Sequence, residues 1–191
     1  MAYKVATGPT LEPFTVAYIK TWLKIPSSVT VEDTLLEDII KGARTWAEQG
    51  TGRALLTQTI EEYWDCWPEC GILNLSVAPI QSITSVSTLI SGTYTVWASS
   101  NYNTDTVKEP CRIVPKPSAG QPNYDTGTPN AIKVIYLAGA TAATGIPKTT
   151  MDAMLQRIAF LYENREDIPI SNNSQPRLRS ADALLLKNRM L

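Results

Sequence analysis

Cys66, Cys70 and Cys111 are the three cysteines of this 191-residue chain, and it has no histidine. The four-residue step from Cys66 to Cys70 suits two metal ligands on one turn, but a zinc site needs a fourth ligand and the sequence offers none. Three cysteines are also not a disulfide framework. Asp65 with Glu69 is an example of an acid pair that general acid–base work could use, and no companion base accompanies it. Without histidine the commonest general base near neutral pH is missing. No GxSxG elbow, lysine-bearing phosphate loop or dinucleotide fingerprint is present. These residues point away from catalysis: no enzyme, no cofactor and no metal is expected.

Charge is sparse and balanced, with 17 Lys+Arg against 18 Asp+Glu and a net charge of -1. General nucleic-acid binders carry a basic surplus. The balance is compatible with enclosing nucleic acid without gripping it. An apolar content of 43% is that of a globular chain with room for one moderate domain, or a small domain carrying a second layer. The opening MAYKVATGPT lacks a basic start followed by an apolar run. No apolar segment approaches the length of a membrane span. The expectation is a protein made in a reducing cytoplasm, with no membrane anchor.

The elements that would position any site fall into two kinds. KTTMDAMLQRIAFLYENRE (148–166) places Met151, Met154, Leu155, Ile158, Leu161 and Tyr162 three and four residues apart, which makes one apolar helix face. Thr149 or Thr150 is its expected cap, and Pro169 stops it. Its partner is expected from the first third of the chain. There Thr15 caps a helix over 16–24, and Thr30 with Asp33 resembles a capping box for a second over 31–49. Leu35, Leu36, Ile39, Ile40, Ala43, Trp46 and Ala47 make the apolar side of that second helix. Gly42 marks either a close backbone crossing or a tolerated cost, and Gly50 and Gly52 end the helix.

From Thr57 the period changes to two. Strands are expected over 57–67, 72–76, 80–89, 93–98, 111–115 and 131–139. Mixed phase in 80–89 implies a bulge near Ser82–Thr84. Both faces of 131–139 are largely apolar, which suits a central strand. Residues 1–12 read as an irregular lead and 99–110 as a polar loop. After Ile170 the chain turns polar, then offers a short helix over 181–190. The fold class expected is α+β: a small helical bundle from 1–56 and 146–170, an inserted β-rich domain over 57–145, and an extended C-terminal tail over 171–191.

The order of these features resembles the head-tail connector, or adaptor, family of tailed bacteriophages and gene-transfer particles. The matching segments are Leu11–Glu12–Pro13–Phe14–Thr15 before the first helix and TGRALLTQT (51–59) after the second. PIQSITSV (79–86), the Ala138–Gly139 pair after Tyr136, and LYENRE (161–166) complete the series. The resemblance covers roughly residues 10–168 and rests on shared order, since each motif alone is weak.

That resemblance implies a non-enzymatic virion protein at the head–tail junction. It implies a homo-oligomeric ring, usually of twelve copies, bound to the portal protein on one side. On the other side it implies a stopper, tail-completion or nozzle protein, with double-stranded DNA passing through the lumen without sequence-specific binding. The alternative within the same particle is a head-completion stopper or a tail-terminator ring. The candidate portal-docking residues are Arg177, Leu178, Arg179, Leu184, Leu185, Arg189 and Met190, because a basic, apolar-studded tail can fold on a partner. The ring-interface candidates are Glu37, Asp38, Lys41, Arg44, Trp64 and Trp67. Glu61, Glu62 and Asp65 are open to either the lumen or the outside.

Overall fold

The computed structural model describes residues 2–164, 179–186, 188 and 189. Its architecture is α+β, as expected, and it divides into two compact units. One contains residues 2–10 and 57–140; the other contains 11–56 and the described residues from 141 to 189. Among the described residues no helix is long and apolar enough to cross a membrane.

The first unit is built of strands: β1 (Ala2–Thr7), β2 (Gln58–Trp64), β3 (Leu73–Asn74), β4 (Ile80–Ile90), β5 (Thr93–Trp97), β6 (Tyr102–Asp105), β7 (Arg112–Pro115) and β8 (Ile132–Ala138). A five-stranded sheet runs β1-β2-β8-β4-β5 and a smaller one runs β3-β7-β6. Every neighbouring pair is antiparallel. β8 is central, as its two apolar faces implied. Ile132, Val134, Tyr136 and Ala138 are buried on one side, and Lys133, Ile135 and Leu137 are half-buried on the other.

The expected irregularity in β4 is present as two register shifts against β8, at Ile80/Ser82 and Ile83/Ser85. They let one strand switch phase without losing its partner. Ser91 and Gly92 take φ of 50° and 77° and close the two-residue β4–β5 hairpin. Paired positive φ values in a two-residue loop match the twist of the strands they join.

Two expectations about strands fail. Residues 2–7 are not an irregular lead but pair along β2, from Ala2 opposite Tyr63 to Thr7 opposite Thr59. Both faces of β1 are solvent-exposed, so its sequence carries no burial alternation to read. Within the expected polar loop, Tyr102–Asp105 pairs with β7. Tyr102 is buried and stacks on Trp97 at 5.3 Å between ring centroids.

The second unit holds α1 (Val16–Leu23), α2 (Asp33–Thr51), α3 (Lys148–Glu163) and α4 (Arg179–Leu186). The Oγ1 of Thr15 accepts from the Tyr18 amide at 3.2 Å, the cap its position implied. Ile19, Leu36, Ile40, Ala43, Ala47, Ala153, Met154, Leu155 and Ile158 form the core, joined by Ala181 and Leu185 of α4. α2 is therefore the partner of α3, supplied from the first third of the chain. Trp46 is half-buried at its edge, with the Arg157 guanidinium 5.5 Å from the ring centroid.

Local capping differs from expectation at two starts. No side chain caps α2, whose Asp33 pairs instead with the buried Lys20 of α1. At α3, Pro147 occupies the cap position, and Thr149 and Thr150 accept from the Asn188 side-chain amide. α2 also runs through Gly50 to Thr51 and ends at Gly52, φ 70°. Among the described residues no atom would crowd a Cβ at Gly42 and no backbone crosses there. The close approach is at Gly50, where a Cβ would lie 3.1 Å from Cδ1 of Leu185.

Candidate functional site

Of the groups with the strongest chemistry in the sequence, Cys111 and Asp65 are taken up in internal structure and the others lie open to solvent. Cys66 and Cys70 are exposed and Cys111 is buried. Burial first, then nearby Asp105, pushes the Cys111 thiol up to about 11. Asp65 accepts from the Asn130 amide at 2.7 Å and holds a turn. Glu69 is solvent-exposed. Among the described residues no cluster of three or more His, Cys, Asp or Glu could hold a metal ion.

Glu62 faces neither a lumen nor the outside. It shares the inward phase of β2 with Ile60 and Trp64 and is 0% exposed. The Tyr136 hydroxyl donates to its Oε2 at 2.7 Å, and the Ser76 amide and hydroxyl donate to the same carboxylate. Burial holds the Glu62 carboxyl above the usual glutamate range, against these hydrogen bonds. A buried carboxyl survives only when its oxygens are satisfied, and these donors satisfy them. Glu61 has the opposite surroundings. The Tyr63 hydroxyl, then Lys4, hold its carboxyl below the usual range on an open face.

The ring-interface candidates separate into three groups. Glu37, Asp38 and Lys41 lie on the solvent side of α2, with Lys41 3.7 Å from Asp38. Glu37 and Lys41 also border an open groove over Glu12, Phe14, Thr15, Val16 and Ile40. Arg44 points back into its own unit. Its Nε lies 2.9 Å from Glu12 and its Nη1 2.8 Å from Glu48, with 13% of the side chain exposed. It fastens the lead into α1 onto α2 instead of offering a free cation. Trp64 and Trp67 are core residues of the β unit, 7% and 4% exposed. Trp67 meets Trp97 edge-on at 5.5 Å, so its ring is filled from within the chain.

The tail candidates are also divided. Arg177, Leu178 and Met190 lie outside the described residues, as do Arg165, Glu166 and the side chain of Arg179. Leu184 is half-buried and Arg189 exposed. Leu185 is 4% exposed in the helical core, and its approach to Gly50 makes it a packing residue here. The Ser180 hydroxyl donates to the Gln156 side chain at 2.8 Å and ties α4 to α3.

Sequence reasoning missed the surfaces that remain open. Leu11, Tyr18, Trp22, Val31 and Leu35 are exposed apolar side chains of the helical unit, Leu35 among them although its spacing puts it on the apolar side of α2. In the β unit, Tyr3 and Val5 of β1 and Tyr94 and Val96 of β5 are exposed at the two ends of the large sheet. The signal available for the sheet was β-branched and aromatic residues in AYKVAT and TYTVW.

No family model matches the chain. No curated protein matches it either. Solved structures do. The chain is similar to one in the neck of an empty GTA particle computed with C6 symmetry, at 20% identity and TM-score 0.79. A second likeness is to a chain of the virion of a native gene transfer agent (GTA) particle, at 19% identity and TM-score 0.79. A third is to a chain of the neck of a native GTA particle computed with C12 symmetry, at 21% and 0.74. Each alignment covers 100% of this chain and 96% of the other. From end to end, this chain has the fold of proteins that build the neck and virion of gene transfer agent particles.

Proposed function

We propose that this chain is a structural, non-enzymatic subunit of the neck of a phage-like particle. In that role it forms a ring adaptor between the portal of the DNA-filled head and the tail. The observation that carries the reading is the whole-chain likeness to neck chains, with nothing left over on this side of the alignment. The chemistry agrees: the buried Glu62 carboxyl, the buried Cys111 thiol and Arg44 are spent on internal structure.

A ring of identical subunits needs two different faces that meet. Glu37, Asp38 and Lys41 are free to contribute to one of them. Passage of duplex DNA asks for a lumen poor in fixed positive charge, because each neutralised phosphate adds salt-dependent affinity. The net charge of -1 is compatible with that role.

Portal docking is assigned to the tail, with a division of labour. Leu185 anchors α4 to its own unit, which leaves Arg189 and the exposed Leu186 beside the remaining tail residues to meet the partner. Arginine forks suit carboxylates on such a surface. Co-purification tests the assignment. A tagged chain should retain portal protein from particle-producing cells, and retention of tail-tube protein alone would favour the tail-terminator alternative. Arg189→Glu should weaken portal retention; unchanged retention would remove Arg189 from the docking surface.

A further inference from the structure

The large sheet ends in two open strands. β1 pairs with β2 alone and β5 with β4 alone, among the described residues. An unpaired edge presents a row of amide and carbonyl groups and is a template for another strand. Natural edges are usually blunted by proline, by charge, by a bulge or by a covering loop; β1 has a register shift between Val5 and Thr7, which leaves Ala2–Val5 in unbroken register with β2. TYTVW of β5 has no proline, glycine or charge. AYKVAT of β1 has one charge, Lys4, whose Nζ lies 3.0 Å from Glu61 on the neighbouring strand. Neither edge would bury an unpaired charge on contact.

The register shows which face is left uncovered. Tyr3 stands opposite Glu62, which stands opposite Val134, which stands opposite Val86. Val5 stands opposite Ile60, and Ile60 opposite Tyr136. Residues directly opposite in a sheet project to the same side. Glu62, Val134, Val86 and Tyr136 are 0% exposed and Ile60 is 1% exposed, whereas Tyr3 and Val5 are 53% and 48% exposed. The core face of the sheet thus continues onto β1 and, among the described residues, stops there without a cover.

We propose that the β5 edge of one copy adds to the β1 edge of the next, so that the five-stranded sheet continues from subunit to subunit. The proposal rests on the ring reading above and names the contact that closes it. Successive antiparallel pairings leave β1 and β5 running in the same direction. A neighbour placed by rotation about a ring axis therefore joins through a parallel pair. The contact is heterologous: the edge offered differs from the edge received, so it propagates around an axis instead of stopping at two copies. The rival occupant of β1 is a second β1, which would pair antiparallel about a two-fold axis and stop at a dimer.

Two exposed valines separate these outcomes. Val5→Lys spoils the receiving edge and Val96→Lys the offered one; the two valines are 48% and 65% exposed, so neither change removes a buried side chain. Self-association of the full chain is followed by sedimentation velocity, with circular dichroism as the check on folding. Each lysine variant should associate at least about tenfold more weakly than the wild type. An equal mixture of the two should form dimers and nothing larger, since each supplies the edge the other lacks. Val5→Thr and Val96→Thr keep strand propensity and should associate like the wild type.

Association of Val96→Lys at wild-type strength would overturn the proposal, as would a mixture that stays monomeric or a wild type that does not associate. A folded Val5→Lys that associates like the wild type would overturn it as well. Any of these results leaves the neck reading standing if the protein is still found in necks. Edge-dependent rings on a protein absent from necks would refute the neck reading alone.

Discussion

The hydroxyl of Tyr136 donates to the carboxylate of Glu62 at 2.7 Å, and both residues are 0% exposed. They come from β2 and the central β8, so the hydrogen bond ties the middle of the sheet to itself. With the Ser76 donors it also fixes the segment after β3 against the sheet. Burial raises the Glu62 carboxyl above the ordinary glutamate range. The folded state then holds the proton at pH values where the unfolded chain has released it. Stability contributed by this group is full below the unfolded value and is lost as pH rises through the folded one. Urea denaturation across that window should show Glu62→Gln less sensitive to rising pH than the wild type. A parallel pH dependence for the two proteins would contradict this reading. Glu62→Ala should cost about 1–3 kcal/mol at pH below that window, because the Tyr136 hydroxyl loses its acceptor, and less as pH rises through it.

Arg44 serves two carboxylates at once, Glu12 across 32 residues and Glu48 one turn on. Arg44→Met should destabilise the helical unit by about 3 kcal/mol, since it leaves Glu48 poorly exposed without its cation. Burial already raises the Glu48 carboxyl. Urea unfolding of the variant checks the loss, and a cost near zero would mark the pair as replaceable.

Leu185 and Leu186 are adjacent on α4 and face opposite conditions, 4% and 63% exposed. Leu185→Ala should cost about 2–4 kcal/mol of helical-unit stability. Leu186→Ala should change it by no more than about 0.5 kcal/mol. If portal retention is measured on the same pair, the proposed division of labour puts the larger direct effect on Leu186.

The three thiols should differ in reactivity. Cys66 and Cys70 are open to solvent, whereas Cys111 is buried with its thiol pushed up to about 11. Thiolate is the reactive form. At pH 8 a small maleimide should label Cys66 and Cys70 in the folded protein and reach Cys111 only after denaturation. Prompt labelling of Cys111 would show that the β3–β7 region opens readily.

What could be read in advance was whatever one local pattern determines. Thr15 before an amphipathic stretch determines a cap, and two apolar faces in AIKVIYLAG determine a central strand. The mixed phase of β4 likewise announced its register shifts. What escaped depends on pairing between distant segments. AYKVAT becomes a strand because β2 receives it, not because its own residues alternate. Glu62 was legible in phase, two residues from Ile60 and two from Trp64, but its charge argued for solvent. Only the donors from Ser76 and Tyr136 make the buried position tolerable. Arg44 reads as an exposed helix charge until Glu12 is brought beside it. The leucines of α4 suit a partner or a core equally, and Gly50 decides for Leu185 by leaving room.

The central claim is the place of this chain in a particle. Cryo-electron microscopy of particles from cells that make it, with an added tag on the chain, tests that most directly. The account predicts tagged copies arranged around the axis between portal and tail. Tagged density elsewhere in the particle, or a fully accounted neck that contains none of it, would contradict the account.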